Sequence, residues 1–177
     1  MLKIAMLGKM GVGKDVAGNY IKMLLGDSNI KIIKFADPIY DIMYMTQDYL
    51  GLEREKDRRF LQLVGTDWGR RKDSLLWIKY MEKRVEELEK EGVDGIIVTD
   101  VRFFNEYIRL KKSGFKVIKI IRKLTDDELI NREGCGSRLH ESEADIDIPM
   151  IKPDFIIINN DNLEKFYDNI KDIVLSL

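Results

Sequence analysis

Gly8-Lys9-Met10-Gly11-Val12-Gly13-Lys14 lies between an apolar run, Leu2 to Leu7, and an amphipathic run that begins at Asp15. This is the order of a strand, a glycine loop and a helix, with Gly8, Gly13 and Lys14 at the spacing of a phosphate-binding loop. Glycines let the backbone wrap close to a polyphosphate, so that consecutive amides (Lys9, Gly11, Val12 and Gly13 among them) and the helix N-terminus face its oxygens. Lys14 then reaches the β- and γ-phosphates as a point charge. The stretch predicts a nucleoside triphosphate site. Asp15 stands where Ser or Thr normally ligates magnesium. A carboxylate can hold Mg2+ directly or through water and suits a helix N-terminus, but it adds negative charge beside the triphosphate.

Working outward, short β-rich runs alternate with helical patterns, which argues for a parallel sheet with crossover helices. The expected strands are Leu2–Leu7, Lys31–Phe35, Gly95–Thr99, Lys116–Ile121 and Asp154–Ile158, each apolar enough to be covered on both faces. The first helix, Lys14 to Leu25, carries Ala17, Tyr20, Ile21 and Leu24 on one face and stops at Gly26. A longer one, Ser74 to Glu91, carries Ile78, Met81, Val85 and Leu88; the last, Leu163 to Val174, carries Leu163, Phe166, Tyr167 and Ile170. Two insertions interrupt the alternation. Residues 36–94 hold several helices, the first capped by Asp37 and opened by Pro38. Residues 122–153 are charged, open with the capping box Thr125–Glu128 and contain Gly134-Cys135-Gly136.

The 177 residues suit one domain with a single core. Thirty basic residues against thirty-one acidic ones leave no global field toward nucleic acid or anionic lipid. The lone Cys135 fits a reducing compartment, no apolar run reaches membrane-span length, and Met1 leads directly into the first strand. A cytoplasmic protein without membrane or nucleic-acid partners is expected.

The third strand ends in Thr99-Asp100-Val101-Arg102. In open α/β sheets ligands bind outside the carboxyl ends of the strands, so Asp100 is a candidate to hold magnesium and Arg102 to grip a phosphate. Alternatively, Asp100 caps the next helix and Arg102 is a surface cation. Gly65-Thr66-Asp67-Trp68-Gly69-Arg70-Arg71 pairs an aromatic with two guanidinium groups. Trp68 could stack a base and Arg70 or Arg71 bind a second phosphate, or the segment is a turn with Trp68 in the core. Trp77 reads as core. Arg122, Arg132 and Arg138 lie on a glycine-hinged stretch that could close over a phosphate chain, or be a solvated loop. His140, the single histidine, reads as a loop or capping residue. Scarcity of histidine suits transfer onto a phosphate, whose second pKa of about 6 leaves it largely ionised at neutral pH and in no need of a base.

Gly-x4-Gly-Lys-Asp, Phe35-Ala36-Asp37-Pro38, Gly65 to Arg70, Asp100-Val101-Arg102-Phe103-x-Asn105-Glu106 and His140-Glu141-Ser142-Glu143 follow in this order. Together they resemble the deoxynucleoside monophosphate kinases of bacteriophages, over nearly the whole chain. That family and the related phosphomevalonate kinases typically carry Asp after the loop lysine. The family pattern usually has Lys after Phe-Ala-Asp-Pro-x, where this chain has Tyr40. The resemblance implies an α/β three-layer P-loop kinase fold with a five-stranded parallel sheet. Its core would be 1–35, 95–121 and 154–177, with an acceptor-binding insertion at 36–94 and a lid at 122–153. It implies ATP and Mg2+ at Gly8 to Asp15, acceptor contacts from Phe35, Asp37, Arg70 and Arg102, Trp68 walling the base site, and lid arginines over the moving group.

The expected activity is phosphoryl transfer from ATP to a nucleoside monophosphate, most simply a deoxynucleotide, with Mg2+ under Asp15 and Asp100. The catalytic cations would be Lys14, Arg102, Arg132 and Arg138, and the partners small-molecule nucleotides. A kinase of another small phosphate metabolite, such as phosphomevalonate, and an ATP-binding regulatory module without transfer are the alternatives. The number of subunits is open, a homodimer being one expectation.

Overall fold

The computed structural model describes residues 1–26, 29–123 and 148–177. Strands β1 (Leu2–Leu7), β2 (Ile30–Ile33), β3 (Gly95–Val101), β4 (Lys116–Ile121) and β5 (Phe155–Ile158) form one sheet in the order β2-β3-β1-β4-β5. It is the five-stranded parallel sheet of the P-loop kinase fold. Among the described residues the helices are α1 (Lys14–Leu24), α2 (Asp37–Tyr49), α3 (Arg58–Gln62), α4 (Leu76–Lys90), α5 (Phe104–Lys112) and α6 (Leu163–Ser176), with a π-helical segment at Leu63–Arg70.

Two compact units emerge, Met1–Ile32 with Gly92–Leu177, and Ile33–Glu91. In the first, strand alternation divides the apolar residues between two layers. Ile4, Met6, Ile97, Ile118, Ile120 and Ile157 pack with Ala17 and Ile21 of α1 and Phe166 and Ile170 of α6. On the opposite face Ala5, Leu7, Ile96, Val98 and Val117 are equally buried. Burial on both faces explains why β1, β3 and β4 read as near-continuous apolar runs, interrupted by Lys3 in β1 and Lys119 in β4 and turning polar at Thr99 and Asp100 in β3. The edge strand β5 departs from that expectation, since Ile156 and Ile158 remain 58% and 57% exposed on its second face.

Several boundaries move for identifiable reasons. The second strand ends at Ile33 rather than Phe35, because the Asp37 carboxylate accepts the Lys34 N–H at 2.7 Å and the Asp37 N–H bonds the Lys34 carbonyl at 3.2 Å. That turn replaces the ladder. Ala36, not Asp37, is consequently the N-cap of α2; Asp37 and Pro38 open its first turn. The third strand runs on to Val101 because pairing with β1 resumes there. Leu163 sits at the exposed end of α6 and is 55% accessible, so it does not belong to the core stripe.

Asp154 ties the start of β5 to its neighbours. Its carboxylate accepts the Lys111 ammonium at 2.7 and 2.9 Å and the Val117 N–H at 2.7 Å. Burial alone would push this carboxyl up, but Lys111, the Val117 amide and Lys116 outweigh it and hold it below the usual aspartate range. A folded pKa below the unfolded one contributes stability above the unfolded value near 3.9, lost as pH falls through the lower folded value. Asp154→Asn is therefore expected to destabilise by about 1–3 kcal/mol at pH 7. In urea titrations the deficit should shrink as pH falls below the unfolded aspartate value and through the lower folded one; a pH-independent deficit would contradict the charge's role.

Candidate active site

β1 is flanked by β3 and β4, and the chain leaves β1 toward β2 but leaves β3 toward β4 on the far side of β1. The carboxyl ends of β1 and β3 are thus the point where the winding reverses, the place where open α/β sheets bind ligands. The glycine loop begins there. A Cβ on Gly8 would lie 2.6 Å from the Ile120 carbonyl oxygen and 2.9 Å from Val12 Cγ2, so no side chain fits as the chain leaves β1. Gly13 has φ 105°, and its Cβ would lie 3.0 Å from Asn159 Nδ2 and 3.2 Å from the Phe166 ring. Val12 between them is buried in the α1–α6 core and anchors the loop.

Lys14, the first residue of α1, is only 7% exposed. Its ammonium donates to the carbonyls of Gly8 at 2.6 Å and Lys9 at 2.7 Å. Asn159, just past β5, donates from Nδ2 to the Val12 carbonyl at 2.9 Å, and Arg122 reaches the Gly11 carbonyl at 3.4 Å. Each of these contacts engages a carbonyl of the loop rather than an amide. Asn159 belongs to no motif in the sequence; only its place at the carboxyl end of the last strand signals it.

Asp15 is solvent-exposed, and its Oδ1 accepts the hydroxyl of Thr99 at 2.7 Å. Two features make that contact possible. Gly18, one turn along α1, has no side chain where a Cβ would lie 2.4 Å from Thr99 Cγ2, so α1 lies close against β3. Between Val98 and Val101, β3 carries one residue more than the stretch of β1 between Ala5 and Leu7 that it pairs with, a bulge that re-aims Thr99 and Asp100. Asp100 is half-buried within this bulge and Arg102 is half-buried just past the strand. Glu106 in the first turn of α5, 1% exposed, accepts the N–H groups of Arg102 and Phe103 at 2.9 and 3.1 Å. The N-cap of α5 is therefore Phe103, its N–H taken by the Glu106 side chain, and not Asp100. Among the described residues no cluster of three or more His, Cys, Asp or Glu is arranged to hold a metal. Magnesium usually takes one or two carboxylates with waters and phosphates, and Asp15, after the loop lysine, and Asp100, after Thr99, have the donor chemistry such a site needs.

The unit Ile33–Glu91 contains Phe35, Asp37, Trp68 and Arg70. Phe35 is buried and Asp37 closes the turn into α2. Gly65 to Arg70 is not a helix-to-helix turn but the π-helical segment, and Trp68 is 52% exposed, which removes the alternative that it fills the core. Trp77 fills it instead: its Nε1–H donates to the Gly65 carbonyl at 2.7 Å, and its ring lies where a Gly69 Cβ would be, at 2.6 Å. Arg71 pairs with Asp67 at 3.1 Å on the surface, whereas Arg70 is half-buried. Arg132, Arg138, His140, the Thr125–Glu128 box and most of the expected lid lie outside the described residues.

A glycine loop closed by a buried lysine, at the carboxyl end of the central strand of a parallel sheet, is the phosphate-binding loop of a P-loop kinase fold, and that fold together with the family of the chain supports a phosphotransferase. The chain belongs to the deoxynucleotide monophosphate kinase family, whose model matches residues 53–170. It is 27% identical, over 96% of its length and 94% of the other, to a protein of Acanthamoeba polyphaga mimivirus named as a candidate deoxynucleotide monophosphate kinase. It is 31% identical to uncharacterised protein ORF77 of Ictalurid herpesvirus 1 (strain Auburn), over 94% of this chain and 68% of that one. Among solved structures it resembles dephospho-CoA kinase from Campylobacter jejuni, with TM-score 0.51, 21% identity and coverage of 99% and 98% of the two chains. It likewise resembles a gluconokinase from Sinorhizobium meliloti 1021, with TM-score 0.53, 12% identity and coverage of 99% and 92%. At these identities the likeness is one of fold.

Gly18→Ala tests the close approach of α1 to β3. Alanine would favour the helix by about 1 kcal/mol, but the added methyl meets the buried Thr99 side chain, an overpacking worth about 1–3 kcal/mol. A net loss of stability in thermal unfolding is expected; a gain would show that the helix can shift freely.

Proposed function

We propose that the protein transfers the γ-phosphoryl group of ATP, with Mg2+, to a deoxynucleoside monophosphate and releases the diphosphate. The observation that carries this reading is the Lys14 ammonium held 2.6 and 2.7 Å from the carbonyls of its own glycine loop, beside an Asp15 carboxylate braced by Thr99. The family match supports the class of acceptor. In this reading the loop from Gly8 to Asp15 cradles the donor, and Lys14 turns its charge to the β- and γ-oxygens. Asp15 and Asp100 are the residues that would hold Mg2+, which supplies charge neutralisation on the phosphates. Arg102, its backbone fixed by Glu106, grips a phosphate, while Phe35, Asp37, Trp68 and Arg70 recognise the acceptor and Arg132 and Arg138 cover the moving group. Because a phosphate acceptor is already ionised, alignment and charge neutralisation carry the reaction, and the chain needs no general base.

An ADP-release assay over deoxy- and ribonucleoside monophosphates and phosphomevalonate tests the proposal. Acceleration by deoxynucleoside monophosphates is expected; acceleration by phosphomevalonate alone, or hydrolysis that no acceptor alters, would replace it with another kinase or a non-transferring module. Lys14→Ala is expected to lower turnover by about a hundredfold or more, with the circular-dichroism spectrum retained. Arg102→Ala should raise the KM for the acceptor far more than that for ATP, and equal changes in both would remove its acceptor role.

A further inference from the structure

Thr99 is 1% exposed and lies at the carboxyl end of β3, where its hydroxyl meets Asp15 Oδ1 at 2.7 Å across 84 residues of sequence. A threonine on a strand facing a helix ordinarily needs only its methyl for packing, and here the methyl does press on the Gly18 backbone position. The hydroxyl is aimed elsewhere, at a carboxylate that is itself exposed to solvent. A solvent-exposed carboxylate does not need a buried donor to satisfy it, because water would do so. The contact instead holds one rotamer of Asp15, occupying a lone pair on Oδ1 and fixing the direction of the others. It also sets a hydroxyl dipole against a negative charge that stands next to the triphosphate loop.

We propose that Thr99 is a positioning residue for the Asp15 carboxylate, holding it in the geometry that couples magnesium to the bound nucleoside triphosphate. The inference rests on the donor-site reading given above. Gly18 and the β3 bulge belong to the same device, since one brings α1 close enough and the other turns the hydroxyl toward it. A carboxylate free to rotate beside the phosphates would repel them as readily as it would bridge to them through a cation. Groups that orient a metal-binding side chain typically alter metal affinity by about 10–100-fold when removed.

The test measures affinity for a non-hydrolysable ATP analogue by calorimetry, with Mg2+ and with EDTA, in the full-length protein. The ratio of the two affinities is the coupling. Thr99→Val, which keeps shape and removes the hydroxyl, should lower that ratio about tenfold while leaving the EDTA affinity equal to or above the wild-type value. Thr99→Ser, which keeps the hydroxyl, should retain the wild-type ratio. This variant decides the matter if Thr99→Val does not fold: a serine protein that has lost the coupling overturns the proposal. An unchanged ratio in the valine variant, or equal weakening with and without Mg2+, overturns it and leaves only a packing role. Failure of the wild-type protein to bind the analogue in either condition removes the donor site itself, and this inference with it.

Discussion

Consecutive main-chain amides can turn toward one anion only if the carbonyls between them are held elsewhere, and in this protein a single buried ammonium does much of that holding. Lys14 folds back onto the carbonyls of Gly8 and Lys9, and Asn159 takes that of Val12. The loop in turn rests on contacts that exclude side chains at Gly8 and Gly13, against the Ile120 backbone and the Phe166 ring. Strand β4 and helix α6 therefore shape the loop as directly as its own glycines do. The charge that holds the loop is the same charge proposed to meet the donor phosphates, so the resting contacts are ones that a bound polyphosphate competes with.

The second constraint is electrostatic. A carboxylate directly after the loop lysine would be out of place beside a triphosphate unless something fixed its direction and offset its charge. The Thr99 hydroxyl bonds that carboxylate here, the contact proposed above to fix its direction, and the close packing of Gly18 on β3 and the bulge in β3 lie beside it. Glu106 plays a comparable part a few residues on, taking the two amides that follow the strand so that Arg102 leaves the sheet on a fixed backbone. Near-neutral net charge means that recognition must come from such local arrangements rather than from a field over the whole surface.

The unit Ile33–Glu91 is built on different principles. Gly65 and Gly69 stand about one turn apart in a π-helical segment; the absence of a side chain at Gly69 admits the Trp77 ring, while the Gly65 carbonyl accepts its N–H. One tryptophan is consumed in making this core, and the other, Trp68, is left on the surface of the same segment with Arg70 close by in sequence. π-Helical turns are frequent at functional sites. That is consistent with the acceptor role proposed for these residues.

Local patterns in the chain were enough to determine the sheet, the crossover helices and the loop. Near-continuous apolar runs, a stripe repeating every three to four residues and a glycine spacing are each set by neighbours in sequence. Strand β1 and β4 and the starts of α1 and α6 were legible in this way to the residue. What only the tertiary structure decided was every contact between residues distant in sequence: Thr99 on Asp15, Asn159 on Val12, Trp77 on Gly65 and Gly69, and the bulge that lengthens β3. Thr99 and Asn159 look like ordinary strand-end residues until the sheet order sets their strands around the loop. The exposure of Trp68 and of Ile156 was equally illegible, because burial depends on what lies across the space from a side chain, and a one-dimensional pattern records only which residues precede and follow it.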